Sequence, residues 1–460
     1  MTVDRRHIVT TAAALGALAA QSSAHAKAGP RAKAPEKARD AASSATLGVV
    51  PDSPDDQSAA LQAAIDKAAE RGVALALAPG RYRARGLSLR EGSHIYGTAG
   101  RTVLAMTTDG TLITADRAHK ARLDGLVLEG TGQPTAGAHA ALVMLDASRD
   151  IVLANLEVTA SRANGIALTG CSGTVRDCRV RLAAQAGIIS LDAEGLEIVH
   201  NTVADCANNG ILVWRSRAGE DGTIIANNRV TAIRAAAGGS GQNGNGINVF
   251  RAGNVLVTGN RITDCAYTAI RGNAASNIQM VANNCQRLGE VALYAEFGFE
   301  GALVSGNLVD GAATGIAVTN FNEGGRLAVV QGNLIRNLVR REHEPVDKRG
   351  EGIGVEADAV VTGNTIENAP TAGIVIGWGR YMREVVATSN VIRQARVGIM
   401  ITRDPDAGAA LVAQNMISGA REGAIRAMDK GVLVGPDLAI AGTQSSRISI
   451  TGNVSLPAAG

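Results

Sequence analysis

One short phrase, Gly-Ile-x-Val, returns along the sequence at intervals of 22 or 23 residues. Copies and close variants with this spacing begin at positions 165, 187 and 210, and again at 246, 269, 292 and 315. A second phrase, Asn-x-Val or Asn-x-Ile, alternates with the first. A unit of this length holds a few short strands that cannot bury their apolar faces alone, so successive units stack about 4.8 Å apart around one core. The sequence therefore predicts an all-β fold, a single parallel β-helix solenoid.

The amino-acid composition agrees with this prediction. Of the 460 residues, 46% are hydrophobic, yet only 2% are aromatic and 55 are glycine. The interior must therefore be filled by Val, Ile, Leu and Ala on short strands that are joined by tight turns. Each glycine in a helix interior costs about 1 kcal/mol relative to alanine, which argues against a helical bundle.

The asparagines of the second phrase form a regular column. They are Asn201, Asn228, Asn260, Asn307, Asn333, Asn364, Asn390 and Asn415. We expect them to adopt left-handed turn conformations and to hydrogen-bond to one another along the stack, because the asparagine side chain tolerates both. Their role is therefore predicted to be structural.

The five cysteines are predicted to be buried thiols rather than disulfides. Cys206 and Cys265 each follow a repeat asparagine by five residues, at a position where Ile233 also occurs, so the position belongs to the core. No CxxC or HxxxH spacing and no calcium-binding cluster of aspartates is present, so we expect no metal site and no cofactor.

Residues 1–26 have the pattern of an export signal. Arg5 and Arg6 precede an apolar run from Ala12 to Ala20, and the small-residue pattern Ala24-His25-Ala26 follows. This order is typical of a twin-arginine signal peptide and predicts a periplasmic or secreted protein. We expect no membrane span in the mature chain, because no later segment reaches the length of a transmembrane helix.

The rest of the chain divides into three predicted segments. Residues 27–45 are rich in Ala, Pro and Lys and form a flexible leader, 46–150 hold an N-terminal capping α-helix and the first rungs, and 151–460 hold the repeats. The helix is predicted to start at an N-cap, Ser53, and to stop at Gly72. The formal net charge is only +3, so no nucleic-acid partner is expected.

The repeats resemble those of right-handed β-helix proteins of the pectin-lyase-like superfamily. The stretch DDQSAALQAAIDKAAERGVALALAPGRYRARGLSL is similar to the N-terminal cap of pectate-lyase-type chains. With the signal, the chain also resembles a bacterial family of twin-arginine-exported β-helix repeat proteins. The resemblance runs from about residue 46 to the C-terminus and implies a right-handed solenoid. It also implies a polysaccharide partner, although β-helices host many functions.

Outward-facing positions of the Gly-Ile-x-Val strand are the place to look for chemistry. Ile and Val point inward, so x and the residue after Val point outward. Three consecutive rungs carry polar or aromatic side chains at these positions: Asn248, Phe250, Arg271, Asn273, Tyr294 and Glu296. Other outward positions and nearby turns extend the predicted substrate-binding set to Trp214, Arg215, Asn320, Glu356, Trp378, Arg380 and Tyr381. Aromatic rings stack on sugars and arginine binds carboxylates, so the pattern favours an acidic polysaccharide.

Two functions follow from this patch. In the first, the protein is a polysaccharide lyase or C5 epimerase acting on uronic acids, as the resemblance implies. Arg271 would then stabilise the enolate, and Tyr294 or Glu296 would remove the proton. In the second, the protein is a non-catalytic polysaccharide-binding or envelope scaffold protein, and Arg271 simply pairs with Glu296. The sequence leaves both functions open, and it leaves the oligomeric state open as well.

Overall fold

The chain folds into a parallel β-helix in which each turn of the coil consists of three short strands. A computed structural model describes residues 41–43, 47–108, 110–132, 140–239, 241–341, 350–443 and 445–456. The predicted signal peptide lies outside these residues, as does most of the predicted leader. Corresponding strands of successive turns pair in parallel and in register. They form a 16-stranded sheet, here called face 1, and a 28-stranded sheet whose two rows of stacked strands are here called faces 2 and 3. The predicted parallel solenoid is confirmed.

Face 1 runs the length of the described coil. Its strands are Ala42–Ser43, Leu75–Ala76, His94–Tyr96, Arg122–Asp124, Ile151–Ala154, Gly173–Arg176, Glu197–Val199, Ile224–Ala226, Leu256–Thr258, Ile278–Val281, Glu300–Ser305, Arg326–Gln331, Ala357–Thr362, Arg383–Thr388, Ala410–Ala413 and Ile448–Thr451. The Asn-x-Val phrase begins the turn that leads from this face to face 2.

Face 2 follows face 1 in every turn. Its strands are Gly80–Ala84, Thr102–Met106, Val127–Glu129, Glu157–Thr159, Arg179–Arg181, Thr202–Ala204, Arg229–Ile233, Arg261–Cys265, Asn284–Gln286, Leu308–Asp310, Leu334–Arg336, Met416–Ser418 and Val454–Leu456. Two longer strands, Thr365–Ile376 and Val391–Thr402, continue from face 2 into face 3 without a break.

Face 3 carries the Gly-Ile-x-Val phrase. Besides the second halves of the two long strands, it consists of Leu87–Leu89, Ile113–Asp116, Ala141–Asp146, Asn164–Thr169, Ala186–Leu191, Asn209–Glu220, Asn245–Gly253, Ile270–Asn273, Val291–Glu296, Thr314–Val318, Glu351–Val355 and Ile425–Asp429. At the C-terminal end, Val432–Asp437 pairs antiparallel with Ile425–Asp429, and a short helix, Leu438–Ala441, follows.

One continuous hydrophobic core fills the coil, and the strands alternate as predicted. Ile247 and Val249 are fully buried in this core, whereas the side chain of Phe250 lies on the outer surface of face 3 and is only partly buried. Strand alternation places every second side chain inside, so aliphatic residues suffice to fill the narrow coil.

The asparagine column forms a hydrogen-bonded ladder at the turn between faces 1 and 2. The asparagine ladder consists of Asn201, Asn228, Asn260, Asn283, Asn307, Asn333, Asn364, Asn390, Asn415 and Asn453. Each Nδ2 donates to Oδ1 of the next asparagine at 2.9–3.1 Å. The predicted bonding along the stack is confirmed, and the ladder gains Asn283 and Asn453.

One detail of this prediction is wrong. The left-handed residue is not the ladder asparagine but the residue before it, for example His200 with φ 58° and Ala282 with φ 56°. This geometry explains why glycine so often precedes the asparagine, as at Gly306 and Gly332. The asparagine itself turns its amide inward, where it satisfies backbone groups that the turn leaves unpaired.

The predicted buried thiols are confirmed, because all five cysteines are free and buried. Burial raises the pKa of the Cys171 thiol to about 11 and that of Cys178, Cys206 and Cys285 to about 12. The pKa of Cys265 is raised by the same cause.

We therefore expect the folded protein to resist thiol reagents. At neutral pH a thiol with a raised pKa holds almost no thiolate, which is the reactive form, and burial blocks access as well. Incubation with an aromatic disulfide reagent should label none of the five cysteines in buffer and all five in denaturant. Rapid labelling of a single cysteine in buffer would contradict the described packing.

A helix lies between the first two strands of face 1, but its start differs from the prediction. It spans Ser58–Glu70 and not the region from Ser53, and it buries Leu61, Ala64, Ile65 and Ala68 in the common core. The helix starts later because the Gln57 side chain is hydrogen-bonded to the backbone of Val50. Its Oε1 accepts from the Val50 N–H and its Nε2 donates to the Val50 carbonyl oxygen, each at 2.8 Å. A capping role for this helix stays a prediction. None of the helices in the described part of the chain is long and apolar enough to cross a membrane.

Candidate functional site

The register of face 3 brings the predicted patch together. Asn248 pairs with Arg271, which pairs with Tyr294, and Phe250 pairs with Asn273, which pairs with Glu296. These residues therefore form two neighbouring outward columns on three consecutive rungs. Stacking at about 4.8 Å gives the patch a length of about 10 Å.

Arg271 and Glu296 form a buried ion pair at the centre of this patch. Nε of Arg271 donates to Oε1 of Glu296 at 2.6 Å, and Nδ2 of Asn273 donates to the same oxygen at 3.0 Å. Arg271 is 8% exposed and Glu296 is 2% exposed. The two charges neutralise each other beneath the surface, so neither side chain faces an open groove.

The first insertion, residues 231–244, covers Arg271. A methyl group at Gly241 would lie 1.8 Å from Nη1 of Arg271, so the loop backbone rests directly on the guanidinium. Nη1 of Arg271 and Oδ1 of Asn248 have no hydrogen-bond partner among the described residues. The guanidinium lies 5.4 Å from the ring centre of Tyr294. The catalytic roles of Arg271, Tyr294 and Glu296 stay predictions.

Trp214, Phe250 and Arg215 lie on the N-terminal side of the pair. The rings of Trp214 and Phe250 meet edge to face with centres 6.0 Å apart. Nη1 of Arg215 donates to the carbonyl oxygen of Ala193 at 3.2 Å and lies 3.9 Å from Oδ2 of buried Asp221. Trp214, Phe250 and Arg215 therefore contact neighbouring side chains and backbone rather than an open cleft.

An open cleft lies on the other side of the pair, on the outer surface of face 3. Its volume is about 580 Å³. The register explains it, because the outward column runs Tyr294, Ala317, Gly354, Val375. Two small residues between two larger ones leave a depression about 14 Å long at the spacing of stacked strands. Nothing lies within 4 Å of the position that a Cβ atom of Gly354 would occupy, so this glycine forms the open floor.

Two aromatic residues stand at the C-terminal end of the cleft. Trp378 and Tyr381 exchange both backbone hydrogen bonds at 3.1 Å across a two-residue turn that contains Gly379 and Arg380. Gly377 makes this turn possible, because its φ is +74° and a Cβ atom there would meet Met382 at 2.7 Å. The guanidinium of Arg380 lies 5.7 Å from the ring centre of Tyr381, beside the cleft rather than in it.

Glu356 is held at one side of the cleft by a local turn. Asn320 adopts a left-handed conformation and begins a 3₁₀ turn, Phe321–Glu323. The backbone N–H of Phe321 donates to Oε2 of Glu356 at 2.7 Å. Burial raises the pKa of the Glu356 carboxyl, and the backbone N–H groups of Phe321 and Asn320 partly oppose that rise.

Two further carboxylates, Glu290 and Glu351, line the opposite side. Oε1 of Glu290 lies 3.9 Å from Nη1 of Arg341, which belongs to a second insertion, residues 336–351. The Arg341 guanidinium lies 5.5 Å from the ring centre of Tyr267, whose hydroxyl donates to the carbonyl oxygen of Gly239 in the first insertion. Arg341 and Gly239, one residue from each insertion, therefore both contact Tyr267.

The sequence of this fold matches a known family. The family described as the right handed beta helix region matches residues 89–230, 164–333 and 218–392. These overlapping segments run from residue 89 to residue 392, which is more than half of the 460 residues. The chain belongs to the right-handed β-helix family. No curated protein matches the sequence.

Solved structures share the fold of this β-helix protein at low identity. The Dettilon tailspike protein is 14% identical with a TM-score of 0.52, and the alignment covers 84% of this chain and 68% of that one. The pre-mature gene product 12 of bacteriophage phi29 is 11% identical with a TM-score of 0.50, covering 90% and 73%. The N-terminal fragment of the same product is 11% identical with a TM-score of 0.51, covering 84% and 85%. Likeness at this level shows the fold alone.

The cleft of the β-helix contains part of the predicted site and adds residues that the sequence reasoning missed. Five predicted residues line it: Tyr294, Asn320, Glu356, Trp378 and Tyr381. The floor residues Ala317 and Gly354 were not predicted, because the predicted site was chosen from polar and aromatic side chains. Their small size in an outward column, between Tyr294 and Val375, was the available signal.

Tyr294 forms the wall between the cleft and the buried ion pair. Burial raises the pKa of its hydroxyl to about 12, and the nearby Glu296 carboxylate adds to the rise. At neutral pH this hydroxyl is therefore protonated and donates hydrogen bonds rather than accepting a proton. Among the described residues, no group of three His, Cys, Asp or Glu side chains is arranged to hold a metal ion.

Proposed function

We propose that this β-helix protein binds a glycan in the cleft between Tyr294 and Val375. The observation that carries the proposal is a cleft with a floor of Ala317 and Gly354 and with two aromatic residues, Trp378 and Tyr381, at its C-terminal end. Sugar rings present C–H faces that pack on aromatic rings, and hydroxyl groups that need hydrogen-bond acceptors. A depression with both kinds of wall fits that chemistry.

The polar groups of the cleft have defined parts in this proposal. The Glu356 carboxylate accepts hydrogen bonds from sugar hydroxyls, and its orientation is fixed in advance by the Phe321 N–H at 2.7 Å. The side-chain amides of Asn320 and Asn322 offer both donors and acceptors at the same end. The predicted export signal at residues 1–26 supports a glycan target outside the cytoplasm.

Uronic-acid chemistry is a second candidate, and one observation favours it. Arg380 is exposed and lies beside the cleft, where it could hold a sugar carboxylate. β-Elimination or C5 epimerisation there would produce unsaturated ends or hydrogen exchange at C5 of a uronate polymer. We expect Arg380→Ala to abolish either signal, whereas unchanged rates in that variant would rule out this role.

Filling the floor of the cleft tests the main proposal. We expect Gly354→Phe to weaken glycan binding at least about tenfold, because the ring enters the space that the sugar would occupy. The fold should tolerate the change, since a Cβ atom at Gly354 meets no heavy atom within 4 Å and phenylalanine favours strands. Binding is measured on an array of neutral, uronic-acid and amino-sugar oligosaccharides, followed by titration calorimetry.

Gly354→Ala is the matched control. Its single methyl group leaves most of the cleft open, so this variant should bind the same oligosaccharides within about threefold of the wild type. Wild-type protein that binds no oligosaccharide on the array would contradict the proposal. Binding that survives Gly354→Phe unchanged would contradict it equally.

A further inference from the structure

The negative charge of the cleft indicates which kind of sugar it binds. Three carboxylates line it, those of Glu290, Glu351 and Glu356, and none of the described lining residues is arginine or lysine. Like charges that share a cleft repel anionic ligands and attract cationic ones. On the basis of the proposed glycan binding, we propose that the cleft selects sugars that carry a free ammonium group.

Glu356 provides the strongest argument for a cationic ligand. Its two hydrogen-bond partners among the described residues are backbone N–H groups, those of Phe321 and Asn320, which carry no formal charge. None of the ion pairs among the described residues includes this carboxylate, so no arginine or lysine nitrogen of those residues lies within 4.0 Å of it. A partly buried carboxylate without a compensating charge is costly, and a bound ammonium group would supply that charge.

Glu290 differs from Glu356 in this respect. Its Oε1 atom lies 3.9 Å from Nη1 of Arg341, so its charge is partly offset. Glu351 also has an interaction within the protein. Glu356 is therefore the carboxylate on which the inference rests, and it lines the cleft together with Trp378 and Tyr381.

Trp378 and Tyr381 add a second attraction for a cation. Ammonium groups bind to the faces of aromatic rings, most strongly to tryptophan. The guanidinium of Arg380 already lies over Tyr381, and that of Arg271 lies over Tyr294. Trp378 is only partly buried and lines the same cleft as Glu356. Together these two residues define an ammonium subsite.

Two oligosaccharides that differ only at nitrogen test the inference. We expect the full chain to bind a tetramer of glucosamine at least about tenfold more tightly than its N-acetylated counterpart, measured by calorimetry at a pH where the amine is protonated. Glu356→Gln keeps the size of the side chain and removes its charge, so this variant should lose the preference while still binding both sugars.

Glu367→Gln is the control for a general loss of negative charge. Glu367 lies on face 2, where it pairs with Arg393 at 3.3 Å, so its removal should leave the tenfold preference intact. Equal affinity of the wild type for both tetramers would overturn the inference and leave the glycan proposal standing. Failure to bind either tetramer or any other oligosaccharide would overturn both. A preference that persists in Glu356→Gln would overturn the ammonium subsite.

Discussion

Replacing Glu296 with alanine is expected to lower the free energy of unfolding by about 3–5 kcal/mol. Nε of Arg271 donates to Oε1 of Glu296 at 2.6 Å, and both residues are almost fully buried. Without the carboxylate, a guanidinium that cannot lose its proton stays inside the protein with no opposite charge beside it. The guanidinium of Arg271 cannot move out into solvent, because the Gly241 backbone lies directly against its Nη1 atom. Urea denaturation followed by circular dichroism measures the change.

Two further variants separate the burial of charge from other effects. The double variant Arg271→Met with Glu296→Leu removes both charges at similar volume, so it should recover most of the lost stability. Arg336→Ala removes half of an exposed pair, in which Nη2 lies 2.8 Å from Oδ2 of Asp310, and should change stability by at most about 1 kcal/mol. If Glu296→Ala proved as mild as Arg336→Ala, the pair would have to be accessible to water in solution.

Replacing Asn307 with alanine is expected to cost about 3 kcal/mol, the second largest effect. Its Nδ2 donates to the carbonyl oxygen of Met280 at 2.8 Å and to Oδ1 of Asn333 at 3.0 Å. Its Oδ1 accepts from the backbone N and Nδ2 of Asn283 at 2.9 and 3.1 Å. Alanine removes the acceptor of the Asn283 backbone N–H and the Nδ2 donor to the Met280 carbonyl oxygen, whereas Nδ2 of Asn283 keeps its bond to the Val257 carbonyl oxygen at 2.9 Å. Each such group costs about 1–3 kcal/mol, although water entry relieves part of the loss.

Asn284 provides a matched control one residue from the ladder. This asparagine points outward from face 2 and accepts one bond, from Nε2 of Gln286 at 2.9 Å. Asn284→Ala should therefore shift the denaturation midpoint by no more than the equivalent of about 0.5 kcal/mol. Equal shifts for Asn284→Ala and Asn307→Ala would show that the ladder does not stabilise the coil. Amide hydrogen exchange at Asn283 reports whether the damage is confined to the neighbouring rungs.

The fold was predictable because its periodicity is written directly in the sequence. A spacing of 22 or 23 residues sets the register, and the register alone placed Arg271 beside Tyr294 and Asn273 beside Glu296. Alternation along each strand then separated inward from outward side chains. Asn283 and Asn453 escaped the pattern because Cys285 and Ser455 stand at the position where the other ladder asparagines are followed by Val or Ile.

The cleft was less predictable, because it depends on what covers each outward column. From the sequence, the side chains of Arg271, Glu296 and Glu356 were all predicted to point outward. The loop that contains Gly241 covers Arg271, the partner of Glu296, whereas Glu356 lines an open cleft whose floor includes Gly354. The path of an inserted loop follows from tertiary contacts such as that of Tyr267 with Gly239, and no local pattern encodes it.

The asparagine ladder keeps the spacing between successive turns of the coil independent of the length of the loops. Successive ladder asparagines are 23 residues apart between Asn260 and Asn283 but 38 apart between Asn415 and Asn453. The hydrogen bonds in these two steps are nevertheless 3.0 and 2.9 Å long. Extra residues leave the coil at its corners and return without disturbing the step. A lineage can therefore lengthen, shorten or exchange the loops around the cleft, and so change its specificity, while the rod that supports them keeps the same dimensions.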